Sequence, residues 1–93
     1  MTMLDQKFRP HPQVVDTKLD EGEVALLHLE SKIYYSLNLT GERIWQALKE
    51  GLTLKEISQR LQKEFEVNAD KADSSIAELI NELSQQKLVQ IAD

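Results

Sequence analysis

Residues 33–48 read IYYSLNLTGERIWQAL, and within this stretch the spacing of apolar residues changes from the period of a strand to that of a helix. The first five residues are aromatic or apolar apart from one serine, which is typical of a β-strand. From residue 39 onward the apolar residues recur at helical spacing. Thr40 is the predicted N-cap of this helix, with Leu39 and Ile44 as a hydrophobic staple around it.

Two further strands are predicted before this stretch. Residues 15–20 alternate between apolar or β-branched and charged side chains, whereas residues 23–29 are largely apolar at both parities, as in a central strand. Gly22 in the turn between them accepts a positive φ without steric cost, and residues 30–32 form the next turn. Because links this short favour hairpins, the three strands are predicted to form an antiparallel meander.

Two further helices are predicted after the first. Gly51 is predicted to end the first helix, since glycine readily takes the left-handed conformation that follows many helices. Thr53 and Glu56 have the spacing of a capping box, which predicts the start of the second helix. The third helix begins at Asn68 or Asp70, both good N-caps that the sequence does not distinguish.

The predicted order, three strands followed by three helices (βββααα), indicates the α+β fold class, with the helices packed on one face of a three-stranded antiparallel sheet. We interpret residues 14–93 as a single winged helix-turn-helix-like domain. Residues 1–13 are predicted to form an extended N-terminal arm. Because the arm contains Pro10 and Pro12, we expect it to be a poor partner in a sheet. Residues 88–91 are interpreted as an extended tail on the core.

Composition argues against several classes of function. The chain has 93 residues, no cysteine and a net charge of −5. Without cysteine it has no disulfide, no cysteine-ligated zinc and no thiol nucleophile. The acidic balance argues against binding a phosphate backbone, so no nucleic-acid partner is expected. No apolar run approaches the ~18 residues of a membrane span, and the N-terminus lacks the apolar stretch of a signal peptide. We therefore expect a soluble cytoplasmic domain that does not bind membranes.

Candidate catalytic groups are few. His11 and His28 have no third ligand at metal spacing, and Ser74 and Ser75 have no identifiable base nearby. The acidic residues around Gly22 lie at a hairpin tip, where solvent keeps carboxylates from the separated pKa values that acid–base catalysis needs. No glycine-rich phosphate loop is present. We expect no enzymatic activity, no metal and no cofactor.

The third strand is predicted to be an unprotected sheet edge. Proteins usually protect edge strands with charge or proline, but residues 33–37 carry neither. Such an edge can accept an extended peptide as an added strand, with the third helix as the second wall of a groove. The apolar stripe of that helix is formed by Ile76, Leu79, Ile80 and Leu83. We expect Ile80 to lean toward the groove. The alternative is that these residues are ordinary packing residues and that the arm or the tail covers the edge.

Residues 33–45, IYYSLNLTGERIW, resemble the YYxLNxTGxxIW core of the PqqD-like family, and residues 24–31 and 53–57 fit the same pattern. The resemblance covers most of the chain and is closer to the broad PqqD-like group than to the cofactor pathway's own member. It implies a winged helix-turn-helix fold without catalytic activity. Lys32 and Ser36 stand where the family often has glycine. At Lys32 a positive φ is costly for a residue with a side chain.

The family resemblance implies that the chain binds the leader part of a ribosomally made precursor peptide as a strand added to its third strand, against the third helix. It then presents the peptide to a modifying enzyme such as a radical-SAM enzyme, a cyclase or a protease. The residues expected to bind the peptide are Ile33, Tyr34, Tyr35, Ser36, Leu37, Asp73, Ile76, Ile80 and Leu83. Asp73 and Glu82 are candidates for contacting basic leader residues, and the alternative for each is a solvated position on the helix surface.

Two other functions stay open at this point. One is a winged-helix DNA-binding or transcription-accessory protein, against which the acidic helical half argues. The other is a structural adaptor that docks on a maturation enzyme through the outer face of the sheet. The open strand edge also allows two copies to pair as a homodimer, so the sequence leaves the oligomeric state undetermined.

Overall fold

The computed structural model of the chain describes residues 5–20 and 22–92. Residues 1–4 of the predicted arm, residue 21 of the predicted turn and residue 93 lie outside this part. The described elements are β1 (Lys7–Pro10), β2 (Val14–Asp20), β3 (Glu23–His28), β4 (Tyr34–Leu37), α1 (Leu39–Lys49), α2 (Leu54–Phe65), α3 (Ala69–Gln85) and β5 (Val89–Ala92). The predicted α+β order of three antiparallel strands and three helices is confirmed, with an additional short strand at each end.

The three-stranded sheet has the order β2-β3-β4 and is antiparallel throughout, as predicted. Gly22 takes a positive φ of 82° in the first hairpin. In the second hairpin Lys32 takes a φ of 65°, although it carries a side chain. Two backbone hydrogen bonds close this turn, from Lys32 N to the His28 oxygen at 2.8 Å and from His28 N to the Ile33 oxygen at 2.9 Å. These bonds offset the conformational cost that glycine avoids at this position.

The N-terminal arm is part of a sheet, and the expectation that it would be a poor partner is wrong for Lys7–Pro10. This strand pairs antiparallel with β5, with Phe8 opposite Ile91. Phe8 is only 7% exposed, so its burial favours the pairing. The hydrogen bond from His11 N to the Leu88 oxygen places Pro10 at a non-hydrogen-bonded position of the ladder, so its missing N–H removes no bond to β5. Because β1 and β5 pair with each other, neither the described arm nor the tail covers β4.

The helix starts agree only in part with the prediction. The N-cap of α1 is Asn38 and not Thr40, because Asn38 is extended and its side-chain oxygen accepts from Gly41 N at 2.9 Å. Leu39 is therefore the first helical residue and is 41% exposed. The capping box of Thr53 with Glu56 is confirmed. At α3 the structure selects Asn68 as the cap.

The core lies between the sheet and the helices. The helix-facing side of the sheet contributes Val24, Leu26 and Leu37 to a single cluster of buried residues. On α1, Trp45 is buried and donates from its indole nitrogen to Asp16 Oδ2 at 2.7 Å, which joins the helix to strand β2. Leu88 and Val89 are buried as well, which confirms that the C-terminal tail packs on the core. Within the described part of the chain, no helix is both long and apolar enough to cross a membrane.

Candidate functional site

A cleft of about 400 Å³ lies between strand β4 and helix α3. One side is built from β4 and the start of α1, and the other from one face of α3. The lining residues are Tyr35, Ser36, Leu37, Asn38, Thr40, Gly41, Ile44, Lys71, Ser75, Glu78, Leu79 and Glu82. The cleft therefore combines a strand edge, an apolar floor and a partly charged helical wall.

The outer edge of β4 has no neighbouring strand among the described residues, since this strand pairs only with β3. The hydrogen bond from His28 N to the Ile33 oxygen sets which residues bond to β3. In an antiparallel ladder these alternate along the strand, so Tyr35 and Leu37 bond inward. The N–H and C=O groups of Tyr34 and Ser36 consequently point away from β3, toward open space beside the cleft.

Tyr35 and Glu82 join the two walls at one end of the cleft. The Tyr35 phenol donates a hydrogen bond to the Glu82 carboxylate. This bond and partial burial raise the pKa of Tyr35 to about 12, because a tyrosinate would face the negative carboxylate. At neutral pH Tyr35 is therefore a protonated donor that ties β4 to the last third of α3.

Gly41 permits close packing at the other end of the cleft. A Cβ atom at this position would lie 3.2 Å from Leu37 Cδ2 and 3.3 Å from Leu37 Cβ, tighter than most side-chain contacts. The same residue donates its N–H to Asn38 Oδ1. The absence of a side chain thus lets the first turn of α1 lie directly on the end of β4.

The predicted strand residues lie at the cleft. Tyr35, Ser36 and Leu37 line it, and Tyr34 contributes its outward backbone groups. The Tyr34 side chain is 61% exposed and lies on the opposite face of the sheet, because side chains alternate along a strand. Ile33 precedes β4 and accepts the hydrogen bond that closes the hairpin.

The predicted residues of α3 lie elsewhere. Ile80, expected to lean toward the groove, is 1% exposed and packs in the core together with Ile76 and Leu83. The carboxylate of Asp73 accepts from Ser58 Oγ at 2.5 Å and so faces α2 rather than the cleft. The helix is rotated so that another stripe reaches the cleft, and its members are Lys71, Ser75, Glu78, Leu79 and Glu82.

Sequence reasoning missed most of this second stripe. A signal was present, because Lys71, Ser75, Leu79 and Glu82 recur at three- and four-residue spacing, which places them on one face of a helix. The stripe is mostly polar, however, and a polar stripe is usually read as a solvent-exposed surface. This stripe becomes one wall of the cleft only because α3 lies beside the open strand β4.

Residues 23–89 match the model of the family described as coenzyme PQQ synthesis protein D (PqqD). The chain belongs to the PqqD family. This confirms the resemblance carried by residues 33–45. Among curated proteins no sequence matches this PqqD-family chain.

Two solved structures are similar to this PqqD-family chain over nearly its whole length. One is TbiB1 in complex with the TbiA(beta) leader peptide, with 30% sequence identity and a TM-score of 0.83 over 91% of this chain and 99% of that chain. The other is a lasso peptide synthetase B1 complexed with the leader peptide, with 31% identity and a TM-score of 0.82 over 90% and 98% of the respective chains. The alternatives of a DNA-binding protein and a structural adaptor are not favoured by these similarities.

Proposed function

We propose that this PqqD-family chain is a non-catalytic recognition domain that binds the leader segment of a ribosomally made precursor peptide and presents that peptide to a modifying enzyme. The observation that carries the proposal is the free outer edge of β4 beside the cleft. The two similar structures support it, since each is a complex with a leader peptide. Because one of them is a lasso peptide synthetase B1, a lasso peptide precursor is the first candidate.

Binding is proposed to occur by strand addition. The outward N–H and C=O groups of Tyr34 and Ser36 pair with the backbone of the leader, and every second leader side chain enters the cleft. Leu37 and Leu79 form the apolar part of the surface that such side chains meet. A net gain of about 0.5–1.5 kcal/mol per hydrogen bond, together with apolar burial, is compatible with micromolar affinity, about −8 kcal/mol.

The mechanism is tethering. Holding the leader raises the effective concentration of the rest of the precursor at the active site of a bound modifying enzyme, to about the millimolar range for short flexible links. Such an enzyme is a radical-SAM enzyme, a cyclase or a protease, and it carries out the chemistry. Tyr35, held protonated by Glu82, serves as a structural donor in the cleft wall.

The proposal is tested with candidate leader peptides from short reading frames next to this gene, titrated by calorimetry into the wild type and into Ser36→Pro. Proline removes the N–H that points to the open edge and leaves the bonds to β3 intact. We expect at least tenfold weaker binding to the variant. Lys18→Pro is the matched control, because its N–H points outward at the opposite edge of the same sheet. Equal affinity of the leader for the wild type and Ser36→Pro would show that β4 is not the binding edge.

A further inference from the structure

The charges along the cleft are separated by sign. Lys71, Glu78 and Glu82 lie on the same face of α3, with Lys71 in the first turn and Glu82 near the last. Glu82 meets Tyr35 at the start of β4, whereas Lys71 and Thr40 line a second, smaller cavity at the other end. At 1.5 Å per residue, Lys71 is about 10 Å along the helix from Glu78 and about 16 Å from Glu82. One end of the cleft is therefore negative and the other positive.

Within the described part of the chain, the charged groups of the cleft can accept further ion-pair or hydrogen-bond partners. No described side chain forms an ion pair or hydrogen bond with the carboxylate of Glu78 or the ammonium of Lys71. The carboxylate of Glu82 accepts one bond, from Tyr35, and keeps further lone pairs for other donors. By contrast, Arg43 and Arg60 outside the cleft are both paired with glutamates. The cleft charges thus remain available to a bound segment.

We infer that the cleft selects leader segments in which a basic and an acidic side chain lie four residues apart. This inference rests on the proposed function. Side chains on one face of a strand recur every second residue at about 3.3 Å per residue, so four residues span about 13 Å. That span matches the distance from Lys71 to the midpoint of Glu78 and Glu82. The middle side chain then lies about 6–7 Å from Lys71 along the helix, beside Ser75. An antiparallel guest strand presents the acidic residue first, and a parallel one presents the basic residue first.

The experiment is a selection of random twelve-residue displayed peptides on the full chain. Wild type is expected to enrich peptides with the charged pair at four-residue spacing. Glu78→Gln combined with Glu82→Gln removes the basic preference and keeps the acidic one. Lys71→Gln does the reverse. The matched control is Glu50→Gln with Glu64→Gln, which changes the net charge by the same amount at carboxylates that pair with arginines outside the cleft.

A selected peptide then allows a quantitative check. Changing its basic residue to glutamine is expected to weaken binding to wild type by about two- to fivefold, the range of a partly exposed ion pair. The same change has no effect on binding to the Glu78→Gln, Glu82→Gln variant. The wild-type preference also declines as salt is added, because exposed charges are screened.

The outcomes separate the inference from the proposed function. Peptides that bind wild type but not Ser36→Pro and show no charge pattern overturn the inference and leave the proposed function standing. A basic preference that is lost equally in the Glu50→Gln, Glu64→Gln control overturns it too, since net charge then explains the selection. If no peptide is enriched, or if the enriched peptides bind Ser36→Pro equally well, the proposed function itself fails.

Discussion

At the scale of single residues, the contact between Tyr35 and Glu82 sets the width of the cleft at one end. The phenol O–H is donated to the carboxylate, so one hydrogen bond connects β4 to α3. Ionising the phenol would place two negative groups together, which is why the pKa of Tyr35 rises to about 12. The folded-state pKa is above the usual value of 10.0, so the contact contributes its full stability below about pH 10.

This contact is tested by tyrosinate absorbance. In Tyr34→Phe, Tyr35 is the only tyrosine, since the chain has two. We expect its titration midpoint at about pH 12, and a shift toward 10.0 when Glu82→Gln is added. The stabilising contribution of the bond is lost as the pH rises from about 10 through 12. Circular dichroism at each pH verifies that the chain stays folded. The same midpoint with and without the carboxylate, in folded protein, would contradict the contact.

At the scale of elements, Asp16 holds the outer strand of the sheet to the first helix. Its Oδ2 atom accepts from the Trp45 indole at 2.7 Å and from Lys49 Nζ at 2.9 Å. The hydrogen bond from Trp45 is the largest effect and lowers the pKa of Asp16. Burial opposes it as the second-largest effect, and the hydrogen bond and charge of Lys49 lower the pKa further.

Asp16→Asn is expected to lower the free energy of unfolding by about 1 kcal/mol or less at pH 7, because the ion pair is partly exposed. The folded-state pKa of Asp16 is depressed, so its contribution is present above the unfolded value of about 3.8 and is lost as the pH falls through the folded value. Urea unfolding followed by fluorescence of the single tryptophan measures both the loss of unfolding free energy at pH 7 and its dependence on pH. Asp20→Asn, on the same strand, is the control. A difference between wild type and Asp16→Asn that persists in strong acid would count against this account.

At the scale of the whole molecule, the first and last described strands pair and close the domain. Strand β1 pairs with β5. The carbonyl oxygen of Gln6 accepts from the N–H of Leu54, the first residue of α2, at 3.0 Å. Phe8 brings the arm into the same core cluster as Trp45. Because the total stability of a domain is only about 5–15 kcal/mol, the burial of one aromatic side chain by this closure is a sizeable part of it.

Phe8→Ala is therefore expected to lower the free energy of unfolding by about 3 kcal/mol or more, the usual cost of a buried aromatic residue. Ile91→Ala, at the facing position of the ladder, is the control. Its side chain is 58% exposed, so a loss of about 0.5 kcal/mol is expected. Urea denaturation compares the two variants. Equal losses would mean that the arm does not contribute to the core.

Local patterns in the sequence determined the three-stranded sheet, its first turn and the start of α2. The alternation of apolar and polar residues and the turn residues specify the three-stranded meander, and Gly22 takes the positive φ predicted for it. The capping box at Thr53 is a contact between near neighbours, so it forms wherever the helix forms. The sequence also predicts the unprotected edge at residues 33–37, because these residues lack the charge or proline that edge strands normally have.

Only the tertiary structure decided the rest, because it depends on contacts between distant residues. Asn38 and Thr40 are both good caps, and the point where β4 ends selects the first. The pairing of β1 with β5 joins residues about eighty positions apart, which no local pattern encodes. Helix α3 has a wide apolar stripe, and packing against the core buries Ile80 and turns Leu79 to the cleft. Successive side chains on a helix point about 100° apart, so the contacts of α3 with the core determine which of its faces is buried and which one lines the cleft.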